Sequence, residues 1–259
     1  MSLNGKVAIV TGGGRGIGRA IARRFASEGA AVVIAARTGA QLESTAREIE
    51  SAGGRAAWVA ADVSLEEDTA RIVEAARKTF GGVNILVNNA GIYGPVKPIE
   101  EITAEEWDRV MAANLRGAFL MTRAALPSMY GRGGAILNIS SVAARAAIPW
   151  GAAYAATKAG LLGLTRTTAA EGAQRGVRAN AVLPGPVPET DMSQELGAAL
   201  SARTGIDGAV MFKDFLKGIL QGRPQTTAEI AAAALFLVSD QASAITGQSL
   251  SVDGGMSFC

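Results

Sequence analysis

In the stretch WGAAYAATKAG, Tyr154 and Lys158 stand four residues apart, in a chain that contains no histidine. On an α-helix that spacing sets two side chains about 40° apart around the axis and about 6 Å along it, so both can act on one atom. A phenol beside an ammonium is a proton-transfer pair. The ordinary tyrosine pKa of about 10 makes a poor base at neutral pH, and an adjacent cation favours the phenolate, so Lys158 is expected to lower the pKa of Tyr154. The same pair also occurs on ordinary solvated helices. Here, however, only Lys158 and Arg166 carry charge between Gly151 and Ala170, which leaves no broad solvated face. Without histidine there is no histidine-based triad and no usual histidine-built zinc site, and no metal is expected.

Such a pair needs elements that hold it against a ligand. Short β-branched or alanine-rich runs alternate with segments of helical period: strands near Val7–Val10, Ala31–Ala35, Ala56–Ala61, Ile85–Val87, Ala135–Ile139, Val177–Val182 and Ser249–Val252, with helices between them. Strands with so little polar alternation suit a parallel sheet buried on both faces. The expected fold is a single-domain, Rossmann-type α/β chain, with a doubly wound parallel seven-stranded sheet and helices on both faces. A helix is expected from Ala104 to Met129 and another after Gly151. The segment from about 190 to 222 is rich in Met, Phe and Gly but poorly periodic, and reads as a mobile flap with short helical pieces or as a plain surface excursion.

Between the first strand and first helix lies TGGGRGIG, Thr11 to Gly18. Glycines at 12, 16 and 18 remove side chains where a backbone approaches a pyrophosphate, and the helix N-terminus supplies amide donors. Arg15, Ile17 and the three glycines are therefore expected dinucleotide contacts. The second strand ends at Ala35, Ala36, Arg37, followed by Thr38, another expected contact, without the acid that usually holds the ribose hydroxyls of NAD. Arg37, helped by Arg15, can offer a planar fork to a 2′-phosphate, so NADP(H) is the expected cofactor; the bland reading makes Arg37 a solvated strand-end charge. Asp62 and Val63 after the third strand, and Asn89, Ala90 and Gly91 after the fourth, are expected along the same crevice.

The 259 residues, 49% of them hydrophobic, suffice for one large core. Lys and Arg number 25 against 23 Asp and Glu, and no like-charge run offers a nucleic-acid or anionic-membrane footprint. The longest apolar run, Ile230 to Val238, is too short to span a bilayer. The one cysteine, Cys259, excludes an intrachain disulfide and fits a reducing compartment, and the early start of strand and glycine loop leaves no room for a signal peptide. A soluble, cytoplasmic protein is expected.

Together, TGGGRGIG, NNAG, ISS ending at Ser141, YAATK from Tyr154, a PG after the sixth strand and GQSLSVDGG resemble the short-chain dehydrogenase/reductase family across essentially the whole chain. The resemblance implies that Tyr154 is the catalytic acid or base, Lys158 its partner and a ligand of the nicotinamide ribose, Ser141 the hydroxyl that orients a carbonyl, and Asn114 the holder of a proton-relay water. It also implies cofactor contacts at Pro184, Gly185, Val187 and Thr190, although PGPVPET carries one residue more than the family pattern and leaves Thr190 open. Tyr93, Trp150, Pro186 and Met192 are candidate substrate contacts.

Arg132 and Arg175 resemble the basic residues with which β-ketoacyl acyl-carrier-protein reductases dock their carrier, or are solvated charges. Reduction of 3-oxoacyl thioesters, carried by acyl carrier protein or CoA, is the leading expectation. Reduction of small ketones, diketones, polyols or sugars is the alternative, and a non-catalytic dinucleotide sensor is the alternative of another class. The charge-poor helices imply, by the same resemblance, a homotetramer; if loops suffice to cover them, light scattering would show a monomer.

Overall fold

β-branched and alanine-rich runs flatten into seven strands: β1 (Val7–Thr11), β2 (Ala31–Ala36), β3 (Arg55–Ala60), β4 (Ile85–Asn88), β5 (Gly134–Ile139), β6 (Val177–Pro184) and β7 (Ser249–Val252). The computed structural model describes residues 2–257, so Cys259 lies outside the described residues. The strands form one parallel sheet in the order β3-β2-β1-β4-β5-β6-β7. β1 is the centre of the winding: Val10 pairs with Ile34 on one side and with Val87 on the other.

The helices are α1 (Gly16–Ser27), α2 (Gly39–Ser51), α3 (Glu66–Phe80), α4 (Ala104–Met111), α5 (Gly117–Met129), α6 (Ala152–Gly172), α7 (Asp191–Thr204), α8 (Gly208–Leu216) and α9 (Thr227–Val238). Alternate strand residues feed two cores. Ala8 and Val10 pack with α1, α2 and α9, whereas Val7 and Ile9 pack with α3 and α5. Ile9, Ile34 and Leu86 are wholly buried, each worth about 1.5–3 kcal/mol of removed apolar surface. Among the described residues no helix is long and apolar enough to cross a membrane.

Three expectations change. The sheet is covered on both faces only in its middle: on the edge strand β3, Trp58 remains 43% exposed, and on β7, Leu250 remains 40% exposed. An edge strand has a neighbour on one side only, so apolar composition alone overstates its burial. The helix expected over Ala104–Met129 is interrupted by a π-helical turn at Ala112–Arg116. The segment after Thr190 is two regular helices rather than short pieces. Thr190 caps α7 by accepting from Ser193 N, Gly205 ends it at φ 70°, and Asp207 caps α8 by accepting from Ala209 N and Val210 N. Neither helix buries a residue fully, which is why no apolar stripe betrays them in the sequence.

Candidate active site

The order of strands reverses between β1 and β4, and their carboxyl ends part to open a crevice. Thr11 bridges the two sides: its hydroxyl donates to the Val87 carbonyl at 3.2 Å and accepts from Asn89 N at 3.0 Å and Ala90 N at 3.1 Å. A cleft of about 380 Å³ lies there, lined by Gly12, Arg15, Gly16, Ile17, Gly18, Arg37, Thr38, Asp62, Val63, Asn89, Ala90, Gly91 and Thr190, all expected from the sequence. It is also lined by Ser64, in the turn before α3, and by Gln41 and Arg109 on α2 and α4, all missed by sequence reasoning; a polar residue in a turn or helix carries no signal of facing a ligand.

This cleft fits an anionic dinucleotide. α1 starts at Gly16 with no side-chain cap and no acid in its first turn, whereas α4, α7, α8 and α9 are all capped by side chains. α2, α3 and α6 start uncapped as well, but of these four only α1 opens from the glycine turn, so its first amides and the positive end of its dipole can take a phosphate. Gly12 and Gly16 adopt left-handed φ of 65° and 52°. A Cβ on Gly12 would stand 2.7 Å from Asn89 Nδ2, inside the space the loop keeps clear. At the other end Asp62 accepts from the amide and hydroxyl of Ser64 at 2.9 and 2.7 Å. Arg37 is exposed at the cleft, while Arg15, expected to assist it, instead pairs with Asp191 at 2.5 Å. Arg15 thus joins the glycine loop to the start of α7.

The proton-transfer residues gather behind Gly91. Tyr154 and Lys158 share a face of α6, with the Lys158 amine 5.4 Å from the phenol ring centre. Lys158 is buried and donates to the Ile139 carbonyl at 2.8 Å, while Ser140 donates to the Lys158 carbonyl at 2.7 Å. These opposed bonds fix the end of β5 to one turn of α6. Ser141, rather than Ser140, acts on the phenol, drawing its pKa down against burial, and its hydroxyl accepts from Ala143 N at 3.1 Å. A Cβ on Gly91 would lie 3.0 Å from Asn114 Oδ1 and 3.8 Å from Lys158 Nζ, so only a glycine's width separates the cleft from the amine.

Asn114 sits in the π-helical turn, 1% exposed. It clamps the loop after β4, donating to the Ile92 carbonyl at 2.9 Å and accepting from Ile92 N at 2.8 Å. The same amide donates to Thr157 Oγ1 at 3.1 Å, and that hydroxyl donates to the Tyr154 carbonyl at 2.7 Å. Asn114 therefore positions both walls of the site, through a threonine in YAATK that the sequence did not single out.

The electrostatics correct the simple expectation for the phenol. Burial raises the Tyr154 pKa, and the Ser141 hydrogen bond opposes this only in part. Burial acts on the lysine as well, lowering its own pKa from 10.5 to about 8. The unfolded chain holds that proton up to the higher value, so the folded chain binds fewer protons between the two and gains stability as pH rises. We expect the Tm difference, Lys158→Met minus wild type, to be flat below pH about 8 and to fall as pH approaches 10.5, measured by thermal denaturation.

Other expected contacts separate. Pro184 and Val187 turn their side chains into the interior, and Gly185 packs so tightly that a Cβ would lie 2.2 Å from Gln225 Oε1. None of the three lines the cleft, and only their backbone atoms can serve a cofactor. Thr190, left open by the extra residue in PGPVPET, does reach it, 3.3 Å from where a Gly16 Cβ would stand. Tyr93 stacks on Tyr154 with ring centres 4.7 Å apart and borders a groove with Met192. Trp150 stands at the entry to α6, whereas Pro186 lines neither cleft nor groove. Arg132 and Arg175 are neighbours, joined by Gly131 N donating to the Arg175 carbonyl at 3.2 Å. They precede β5 and β6, at the amino ends of the strands and away from the cleft of the same chain.

Comparison with known proteins agrees with this geometry. A family model described as enoyl-(acyl carrier protein) reductase matches residues 12–257. The 3beta-hydroxysteroid dehydrogenase 1 of Eggerthella lenta is 44% identical over 99% of this chain and 95% of its own length. The 2-(S)-hydroxypropyl-CoM dehydrogenase 3 of Xanthobacter autotrophicus is 41% identical over 98% and 97%. Among solved structures, a point variant of actinorhodin polyketide ketoreductase with NADPH superposes with a TM-score of 0.91 at 34% identity, covering 97% of each chain. A Serratia marcescens short-chain dehydrogenase/reductase mutant does so with 0.89 at 36%, covering 100% of each. With its parallel sheet, its uncapped glycine turn and its serine, tyrosine and lysine meeting behind Gly91, the chain belongs to the short-chain dehydrogenase/reductase family.

Proposed function

We propose that this oxidoreductase interconverts a ketone and a secondary alcohol with NADP(H). The observation that carries the reading is the meeting of the Ser141 hydroxyl, the Tyr154 phenol and the Lys158 amine at the wall of a cleft suited to a dinucleotide. Nicotinamide, when bound, supplies or accepts the hydride. In reduction, Ser141 holds the carbonyl oxygen by a hydrogen bond and Tyr154 gives it a proton. The raised phenol pKa keeps that proton in place at neutral pH. Lys158, while protonated, stabilises the phenolate left behind, and in alcohol oxidation the same phenolate takes the proton back.

Arg37 supports the 2′-phosphate. It lines the cleft, is exposed, and has no carboxylate partner among the described residues. A charge-assisted hydrogen bond is worth about 1.5–3 kcal/mol, so Arg37→Gln should weaken NADPH binding about ten- to a hundredfold and leave NADH binding nearly unchanged. Fluorescence titration of both cofactors checks this, and a wild type that prefers NADH overturns the assignment.

A ketone free of a carrier protein is the better substrate. Arg132 and Arg175 lie away from the cleft of their own chain, and the groove beside Tyr93 is walled on one side by the apolar α7 residues Met192, Leu196 and Ala199. The two named relatives are both dehydrogenases of hydroxyl-bearing compounds. The polyketide ketoreductase among the solved structures, together with the acyl carrier protein in the family model's description, supports 3-oxoacyl thioesters as the second reading. Following nicotinamide absorbance with acetoacetyl-CoA, acetoacetyl acyl carrier protein and a panel of cyclic and linear ketones separates them; turnover of the carrier-bound substrate alone would reverse the preference.

A further inference from the structure

α7 is fastened at both ends. At its start Asp191 pairs with Arg15 of the glycine loop at 2.5 Å. Near its end Arg203 lies 5.5 Å over the Trp150 ring and 3.4 Å from the Glu101 carboxylate. Between these points Met192, Glu195, Leu196 and Ala199 form one wall of a groove whose opposite wall includes Tyr93, the residue stacked on Tyr154.

Trp150 is an unusual seat for such a contact. It is the only non-glycine with positive φ, 63°, among the described residues, a conformation that costs a bulky L residue energy and marks a turn held by its surroundings. What holds it is visible: Lys97 N donates to its carbonyl at 3.2 Å, and Arg203 covers its ring. The next residue, Gly151, begins the turn into α6, and a Cβ there would lie 2.5 Å from the Tyr93 hydroxyl. Contacts therefore run from Arg203 through Trp150 and Gly151 to Tyr93 and on to the catalytic phenol.

We propose that Arg203, Trp150 and Glu101 form a clasp that fastens α7 over the substrate groove, with Trp150 the positioning residue on which it closes. The Arg15–Asp191 pair is the matching fastening on the cofactor side, so cofactor loop and substrate groove share one strap. The clasp acts on substrate retention and not on the proton transfer. This inference rests on Tyr154 being the proton donor of the groove.

The test uses the full chain with NADPH, comparing hydrogen–deuterium exchange across residues 191–216 in wild type, Arg203→Gln, Arg203→Lys, Trp150→Gly and the double variant Arg203→Gln/Trp150→Gly. Glycine accepts the left-handed backbone, so Trp150→Gly removes the indole without forcing the turn to change. An exposed cation–π contact implies exchange about two- to fivefold faster in either Gln or Gly variant. The double variant should be no faster than Arg203→Gln alone, because that substitution already removes the contact to the indole, and Arg203→Lys should recover part of the protection. For the ketone that the wild type turns over, Arg203→Gln should raise KM by a similar factor while kcat stays within twofold. Unchanged exchange in Arg203→Gln, fully additive effects in the double variant, or a fall in kcat at constant KM would each overturn the clasp. An active Tyr154→Phe enzyme would instead overturn the proton-donor reading beneath it, whatever the exchange shows.

Discussion

Tyr154→Phe will lower kcat/KM for ketone reduction by about a hundred- to ten-thousandfold, the usual contribution of a positioned general acid. The substitution removes one oxygen and keeps the ring that stacks on Tyr93 at 4.7 Å, so the fold and the dinucleotide cleft should be untouched. NADPH titration should return the wild-type Kd. The chemical step alone should suffer, because no other described group is suited to give the proton: the Ser141 hydroxyl is far less acidic than a phenol, and the Lys158 amine is held on the Ile139 carbonyl at 2.8 Å. The direction of the reaction matters as well. Burial raises the phenol pKa, which suits reduction at neutral pH, whereas oxidation needs the phenolate and should quicken as pH rises. A Tyr154→Phe enzyme that keeps about a tenth of wild-type turnover would sink the assignment.

Where the sequence spoke clearly, the reason was a residue type with few other uses. Glycines at 12, 16 and 18 make sense only where backbone must pass backbone or ligand closely, and all three line the cleft. A tyrosine and a lysine four apart on a helix without charged neighbours had to face inward, and they do. What could not be read depends on partners distant in sequence. Nothing in Arg15 announces Asp191, and nothing in Asn114 announces that a π-helical turn will swing it against Ile92. The π turn keeps helical composition while changing which residues share a face, so periodicity alone runs α4 into α5.

The phenol shows the same limit in electrostatic form. Four-residue spacing correctly places a cation near Tyr154, but the sign of the pKa shift follows from how much water burial removes, and that is a property of the assembled core. For the same reason the pattern at Pro184 and Val187 does not tell that their side chains complete the interior and leave only backbone atoms to a cofactor.

Gly18→Ala is the second large effect. Gly18 lies in the first turn of α1 with ordinary helical φ, so propensity alone would favour alanine by about 1 kcal/mol. Packing decides otherwise. A Cβ there would stand 2.2 Å from the Gly12 carbonyl oxygen and 2.5 Å from Asn89 Nδ2, distances no real Cβ keeps. Asn89 cannot simply swing aside, because the same amide donates to the Thr11 carbonyl at 2.9 Å and to the Gly12 carbonyl at 3.3 Å. The helix must therefore lift from β1, which widens the phosphate loop just where its amides have to converge. Overpacking of this kind costs about 1–3 kcal/mol, and because the bound state needs the undistorted loop, dinucleotide affinity should fall about ten- to a hundredfold. Gly197→Ala in α7 is the control: a Cβ there meets nothing within 4 Å, and alanine should leave Tm equal or raise it slightly. Thermal denaturation and NADPH titration of both variants give the comparison, and a Gly18→Ala protein that binds as tightly as wild type would mean that α1 does not hold the phosphates.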